Sequence, residues 1–137
     1  MIIAIDFDGT IVEHKYPHIG KPLPGAFETI SQLYADGHRI IIWTCRGGQE
    51  LVCAIEYLHK NGVPFDRVNE NVNYEIIGFK PAPKIYADIY IDDKNLGGFP
   101  GWEKTYEIIS TMEQPEFNPN LFKDLVGDEN DTNYSAD

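Results

Sequence analysis

The sequence predicts one α/β domain, a doubly wound three-layer α/β/α sandwich built around a mostly parallel sheet. Two observations carry this. Apolar, β-branched runs alternate along the chain with segments of helical periodicity, the pattern of strand–helix–strand units. The first run, residues 2 to 5, is apolar at every position rather than at every second one, as expected of a strand buried on both faces. A chain of 137 residues is long enough to bury one hydrophobic core.

The elements follow in order. After the strand at 2–5, the stretch 24–37 repeats Phe27, Ile30, Leu33 and Tyr34 at helical spacing, and Gly37 suits a helix stop. "HRIIIWTC", 38–45, is a second strand rich in β-branched residues. Residues 47–62 form a second helix with a stripe of Leu51, Val52, Ile55 and Leu58, ended by Asn61-Gly62. A short third strand is expected around Val68, then a proline-containing loop at 78–84. "DIYIDD", 88–93, is a strand ending in acids, and "GWEKTYEIIS", 101–110, begins a last helix. One domain is therefore expected over 1–112, with a short flap at 11–23. Residues 113–137 are expected to be a weakly packed or disordered acidic tail, with Leu121, Phe122, Leu125 and Val126 able to dock as a short helix.

Charge and composition narrow the function classes. The formal net charge is −11. Residues 113–137 hold seven acids and one base, and residues 1–112 hold fifteen acids and ten bases. Such a chain is a poor electrostatic host for nucleic acid. It can still bind a small anion where a metal and a few bases are focused in one cleft. No stretch approaches the length of a membrane span, and the start lacks the basic region of a secretory signal. With only Cys45 and Cys53, the chain has no disulfide framework, and a cytoplasmic location is expected.

Ligands of open parallel sheets bind beyond the carboxyl ends of the strands, so the strand tips matter most. The first strand delivers Asp6 and Asp8, followed by Gly9; the second delivers Thr44, Cys45 and Arg46; the last delivers Asp92 and Asp93. Lys80 and Lys84 lie in the loop before it. Four converging carboxylates repel one another unless a cation sits among them. A hard divalent ion with oxygen ligands, Mg²⁺, resolves that conflict. In a phosphoryl-transfer reading, Asp6 is the nucleophile and Asp8 the general acid and base. Thr44 and Lys84 then hold the phosphate, with Lys80 as the rival for the lysine role and Arg46 and the flap residues His14, Lys15 and Lys21 as further substrate contacts.

"DFDGT", "IIIWTCR", a lysine and "YIDDKN" occur in that order over residues 6–93. The set resembles the four motifs of the haloacid dehalogenase (HAD) superfamily, whose commonest members are Mg²⁺-dependent phosphatases with a Rossmann-like fold. The resemblance implies Asp6 as nucleophile and Asp8 as acid/base. It implies Mg²⁺ on the Asp6 carboxylate, the Asp8 backbone carbonyl and Asp92, with Asp93 assisting, and Thr44 and Lys84 on the phosphate. Cap domains of that superfamily insert where this chain has no spare length, so the build looks capless, with an open cleft that a homo-oligomer would cover. The expected substrate is a small phosphorylated metabolite or nucleotide.

Each feature taken singly has an ordinary structural explanation. Asp-Gly is a common turn pair, Thr44 can simply end a strand, and Asp92-Asp93 can cap a helix. Arg46 is as readily an ion-pair partner as a ligand. Cys45 is a poor rival nucleophile, because the arginine that completes a cysteine-phosphatase loop is replaced by Leu51. Two further functions remain open: a phospho-accepting receiver-like signalling domain, although its acidic pair and lysine would be in the reverse order, and an inactive binding protein on the same fold.

Overall fold

The computed structural model describes residues 1–73 and 82–112. Its centre is a four-stranded sheet in the order β3-β2-β1-β4, with β1 at Ile2–Ile5, β2 at Arg39–Ile42, β3 at Arg67–Val68 and β4 at Ile89–Ile91. Every pairing is parallel: Ile3 lies opposite both Ile40 and Ile89, and Ile42 lies opposite Val68. β1 is fully buried between two neighbours, which is why it needs no polar position.

Three helices are described: α1 at Ala26–Ala35, α2 at Gly48–Lys60 and α3 at Trp102–Thr111. The first two end in the same motif. Gly37 and Gly62 adopt φ of +94° and +66°, conformations that cost a glycine little. The next residue in each case, His38 or Val63, donates its N–H back to Leu33 or Leu58. The glycines that end these periodic segments in the sequence are therefore helix stops in the fold.

Successive strand residues face opposite ways, and this splits the core in two. Ile3, Ile5, Ile40 and Ile42 pack with Ala26, Ile30 and Leu33 of α1, Ala54 and Leu58 of α2, and Trp102 and Ile109 of α3. All three described helices thus cover one face. Ile2, Ala4 and Ile41 point to the other, where Val72, Ile85 and Ala87 cover them. These covering residues belong to the connection from β3 to β4, which must cross from one edge of the sheet to the other. An α/β fold with a parallel sheet is present; on the second face, the described residues form no helix. Lys80 and the expected tail at 113–137 fall outside the described residues. Among those described, no helix is long and apolar enough to cross a membrane.

The expected flap is a narrow loop after β1. Its stem is tied by Glu13 N–H to the Lys21 carbonyl at 2.8 Å and by Leu23 N–H to the Ile11 carbonyl at 2.9 Å. A side chain at Gly20 would meet the Glu13 carbonyl oxygen at 2.2 Å, so the two arms close only around a glycine.

Candidate functional site

The carboxyl ends of β1, β2 and β4 lie side by side. The β1–β4 ladder runs one residue past the strands, through Asp6 N–H to the Ile91 carbonyl at 2.9 Å. The next residue, Phe7, is buried in the core beside Ile5. Its carbonyl accepts N–H groups from Thr10, Ile11 and Val12, which wraps the chain into a tight turn. That turn turns the strand tip into a site.

Asp6, Asp92 and Asp93 each offer a carboxylate oxygen, and these atoms all lie within 4.8 Å of one another. Thr10, fully buried, sits among them. Its hydroxyl lies 3.2 Å from Asp6 Oδ2 and 3.4 Å from Asp93 Oδ1, so one proton serves two carboxylates, and it accepts the Asp93 N–H at 3.0 Å. Trp102 braces the turn from below, its indole N–H donating to the Thr10 carbonyl at 2.8 Å. Asp92 accepts the Lys94 N–H at 2.9 Å, which fixes the turn after β4.

Burial pushes the Asp6 carboxyl up to about 7, and the neighbouring Asp92 charge and a hydrogen bond to Asp93 add to the effect. The fold has thus placed acids where their mutual repulsion and burial hold the Asp6 proton on. An all-oxygen donor set of this spacing and charge fits a hard divalent cation such as Mg²⁺. Asp8 stands apart from that group. Its two oxygens receive Nε and Nη2 of Arg46 at 2.7 and 2.8 Å. Of the four carboxylates expected to converge, three come within 4.8 Å of one another, and the fourth is held by an arginine fork.

Thr44 follows β2. Its hydroxyl accepts the Arg46 N–H at 3.1 Å, which leaves the hydroxyl proton as a donor. Asn69, beyond β3, clamps the Thr44 backbone from both sides: its amide oxygen accepts the Thr44 N–H at 2.8 Å and its NH₂ donates to the Thr44 carbonyl at 2.9 Å. Asn69 does this from a φ of +53°, a conformation asparagine tolerates better than most residues.

A cavity of about 250 Å³ opens over these groups, lined by Asp6, Asp8, Thr44, Arg46, Asp92 and Lys94, with His14, Tyr16 and Cys45 at its wall. A larger groove of about 960 Å³ runs between α1 and α3, but none of its lining residues is a strand-tip residue.

Two expected substrate contacts lie elsewhere. Lys84 is exposed, with its ammonium 5.2 Å from the centre of the Tyr90 ring, and it does not line the cavity. The reason is the face it lies on: Tyr90 packs on the face of the sheet opposite Ile91, and Lys84 lies over the Tyr90 ring there. Lys15 is exposed on the flap and also lies off the cavity lining. Among the described residues, Lys94, next to the acidic pair, is the lysine that lines the cavity. Sequence reasoning assigned no role to Lys94, Thr10 or Asn69. The signals were adjacency to Asp92-Asp93 for Lys94 and a place within "DFDGT" for Thr10; nothing short of the pairing of β2 with β3 points to Asn69.

No family model and no curated protein matches the chain. A solved structure of a conserved protein coded by a locus of Bacteroides thetaiotaomicron does, at 41% sequence identity over 93% of this chain and 98% of that one, with a TM-score of 0.75. This chain belongs to that protein's family.

Proposed function

We propose that this protein is a Mg²⁺-dependent phosphomonoester hydrolase of the haloacid dehalogenase type, with a capless three-layer sandwich and Asp6 as nucleophile. One observation carries the reading: Asp6, Asp92 and Asp93 meet at the rim of a parallel sheet, beside Asp8 and Thr44, around a cavity open to a small molecule. Mg²⁺ held by Asp6, Asp92 and Asp93 would supply the positive charge that lets a dianionic phosphate approach three carboxylates.

The chain's own residues do the rest. An Asp6 carboxylate oxygen attacks phosphorus, and the bond from phosphorus to the leaving oxygen breaks. The proton carried by Asp8 passes to that oxygen, releasing an alcohol and leaving an aspartyl-phosphate. Water then attacks phosphorus and gives its proton to Asp8. The bond to Asp6 breaks, and inorganic phosphate departs with the Asp6 carboxylate restored. Thr44 donates its hydroxyl to a phosphate oxygen, and Lys94 adds a point charge at the cavity wall.

The cavity size and the acidity of the chain favour a small phosphorylated metabolite or nucleotide over nucleic acid. Both cysteines are free, which suits a cytoplasmic setting. The open cleft would be covered by a second copy of the chain if the protein oligomerises.

The test is steady-state release of p-nitrophenol from p-nitrophenyl phosphate, with Mg²⁺ and with EDTA, by wild type and Asp6→Asn. Turnover that needs Mg²⁺ and is lost in Asp6→Asn is expected. A variant that keeps the wild-type rate rules out the assigned nucleophile. The absence of steady-state turnover with Mg²⁺ points instead to a receiver-like or purely binding role.

A further inference from the structure

Arg46, expected at the substrate, has no donor to spare for one. It is 3% exposed, and a guanidinium carries five N–H groups. Nε donates to Asp8 Oδ2 at 2.7 Å. Nη2 donates to Asp8 Oδ1 at 2.8 Å and to the His18 carbonyl at 2.9 Å. Nη1 donates to the carbonyls of Pro17 at 3.2 Å and Glu50 at 3.3 Å. The cation also lies over two rings, 5.1 Å from the centre of Phe7 and 5.2 Å from that of Tyr16.

These contacts join three parts of the chain. Phe7 and Asp8 belong to the turn after β1, Glu50 to the first turn of α2, and Tyr16, Pro17 and His18 to the tip of the flap. Lifting the flap would strip partners from both Nη atoms of a buried guanidinium, which is costly. The flap and the Asp8 carboxyl are therefore seated together or loosened together. The two-pronged fork fixes both the position and the plane of the Asp8 carboxyl group.

We infer that Arg46 is a positioning residue that latches the flap to Asp8 and so sets which leaving groups the site can expel. The inference rests on the phosphomonoesterase reading above. A leaving group that is stable as an anion departs without a proton. One that is not depends on a well-placed Asp8, and misplacing a reacting group by about 1 Å costs on the order of 10²-fold in rate. Loosening the latch should therefore penalise poor leaving groups selectively, whereas a ligand to the phosphate would affect all esters alike.

The experiment measures kcat/KM with Mg²⁺ for a series of phenyl phosphates from p-nitrophenyl to p-methoxyphenyl, which keeps substrate shape nearly constant while the leaving group worsens. Wild type should show a shallow dependence on leaving group. Arg46→Lys keeps the charge but loses the fork. It should lose roughly 10²-fold on p-methoxyphenyl phosphate and several-fold at most on p-nitrophenyl phosphate. Arg46 is buried, so Tyr16→Ala, at a side chain exposed to solvent, provides a second variant that should fold; a smaller steepening in the same direction is expected. Parallel lines for wild type and both variants overturn the latch and leave Arg46 a structural or phosphate-binding residue. If Arg46→Lys does not fold, Tyr16→Ala decides alone by the same criterion. Wild type that hydrolyses no member of the series overturns the phosphomonoesterase reading itself and the latch with it, an outcome distinct from an active wild type with parallel lines.

Discussion

Removing the charge of Asp6 should change how the stability of the fold responds to pH. Its carboxyl stands at about 7 in the folded chain against an ordinary value of 3.8, burial being the main cause and Asp92 the next. The folded state thus holds this proton more tightly than the unfolded state. Stability from this group is intact below about pH 4 and falls as pH rises toward 7, above which the full penalty applies. The shift sets an upper limit of about 4 kcal/mol at roughly 1.4 kcal/mol per unit. Asp6 is only half-buried, and solvent screening reduces this to about 1–2 kcal/mol. For a chain of this length that is about 3–6 °C in Tm. The assay is thermal unfolding in EDTA at pH 5 and pH 8, comparing wild type with Asp6→Asn. At pH 5 the two should melt within about 1–2 °C of each other. At pH 8 the variant should be the more stable by about 3–6 °C. Adding Mg²⁺ should recover the wild type at pH 8 far more than at pH 5, because the ion competes with the proton for the same oxygens. An Asp6→Asn offset that is the same at both pH values would show that the acids do not burden one another as the geometry requires.

Other perturbations address single contacts. Gly9 has φ of +86°, and a methyl there would lie 2.3 Å from Asp93 Oδ2. Gly9→Ala should therefore displace the Asp93 carboxylate, weaken Mg²⁺ binding about tenfold or more by calorimetric titration, and cost on the order of 1–3 kcal/mol. Asn69→Ala removes both bonds to the Thr44 backbone and should lower stability by about 1–3 kcal/mol in a denaturant melt, with a loss of turnover. A melt within 0.3 kcal/mol of wild type would mean the clamp is idle. Lys94→Ala should raise KM for a phosphomonoester by roughly tenfold, the weight of one charge-assisted contact, while Lys84→Ala leaves kcat and KM within about twofold. The reverse ranking would return the phosphate contact to Lys84.

Which residues touch was legible only in part. The alternation of β-branched runs and periodic stretches specified every described element, because burial on both faces of a parallel strand and along one stripe of a helix leaves periods that survive in the sequence. The bounds moved by a few residues: the expected helix at 24–37 is Ala26–Ala35, and the strand at 88–93 is Ile89–Ile91. Helix stops at Gly37 and Gly62 were readable because their backbone conformation admits few other residues. The acids at the strand tips were readable for a related reason: parallel strands share a direction, so residues that follow them share a rim.

Sequence alone determined that Asp6, Asp8, Thr44, Asp92 and Asp93 would gather at that rim, since strand direction and strand end are properties of local pattern. Tertiary structure decided how they pair: Asp8 with Arg46 rather than with the other carboxylates, Thr10 between Asp6 and Asp93, Asn69 on Thr44, and Lys94 rather than Lys84 at the cavity. The physical reason is reach. A side chain selects partners within a few ångströms, and those distances depend on the path of turns and on neighbouring strands whose residues lie 25 to 83 positions away in the chain.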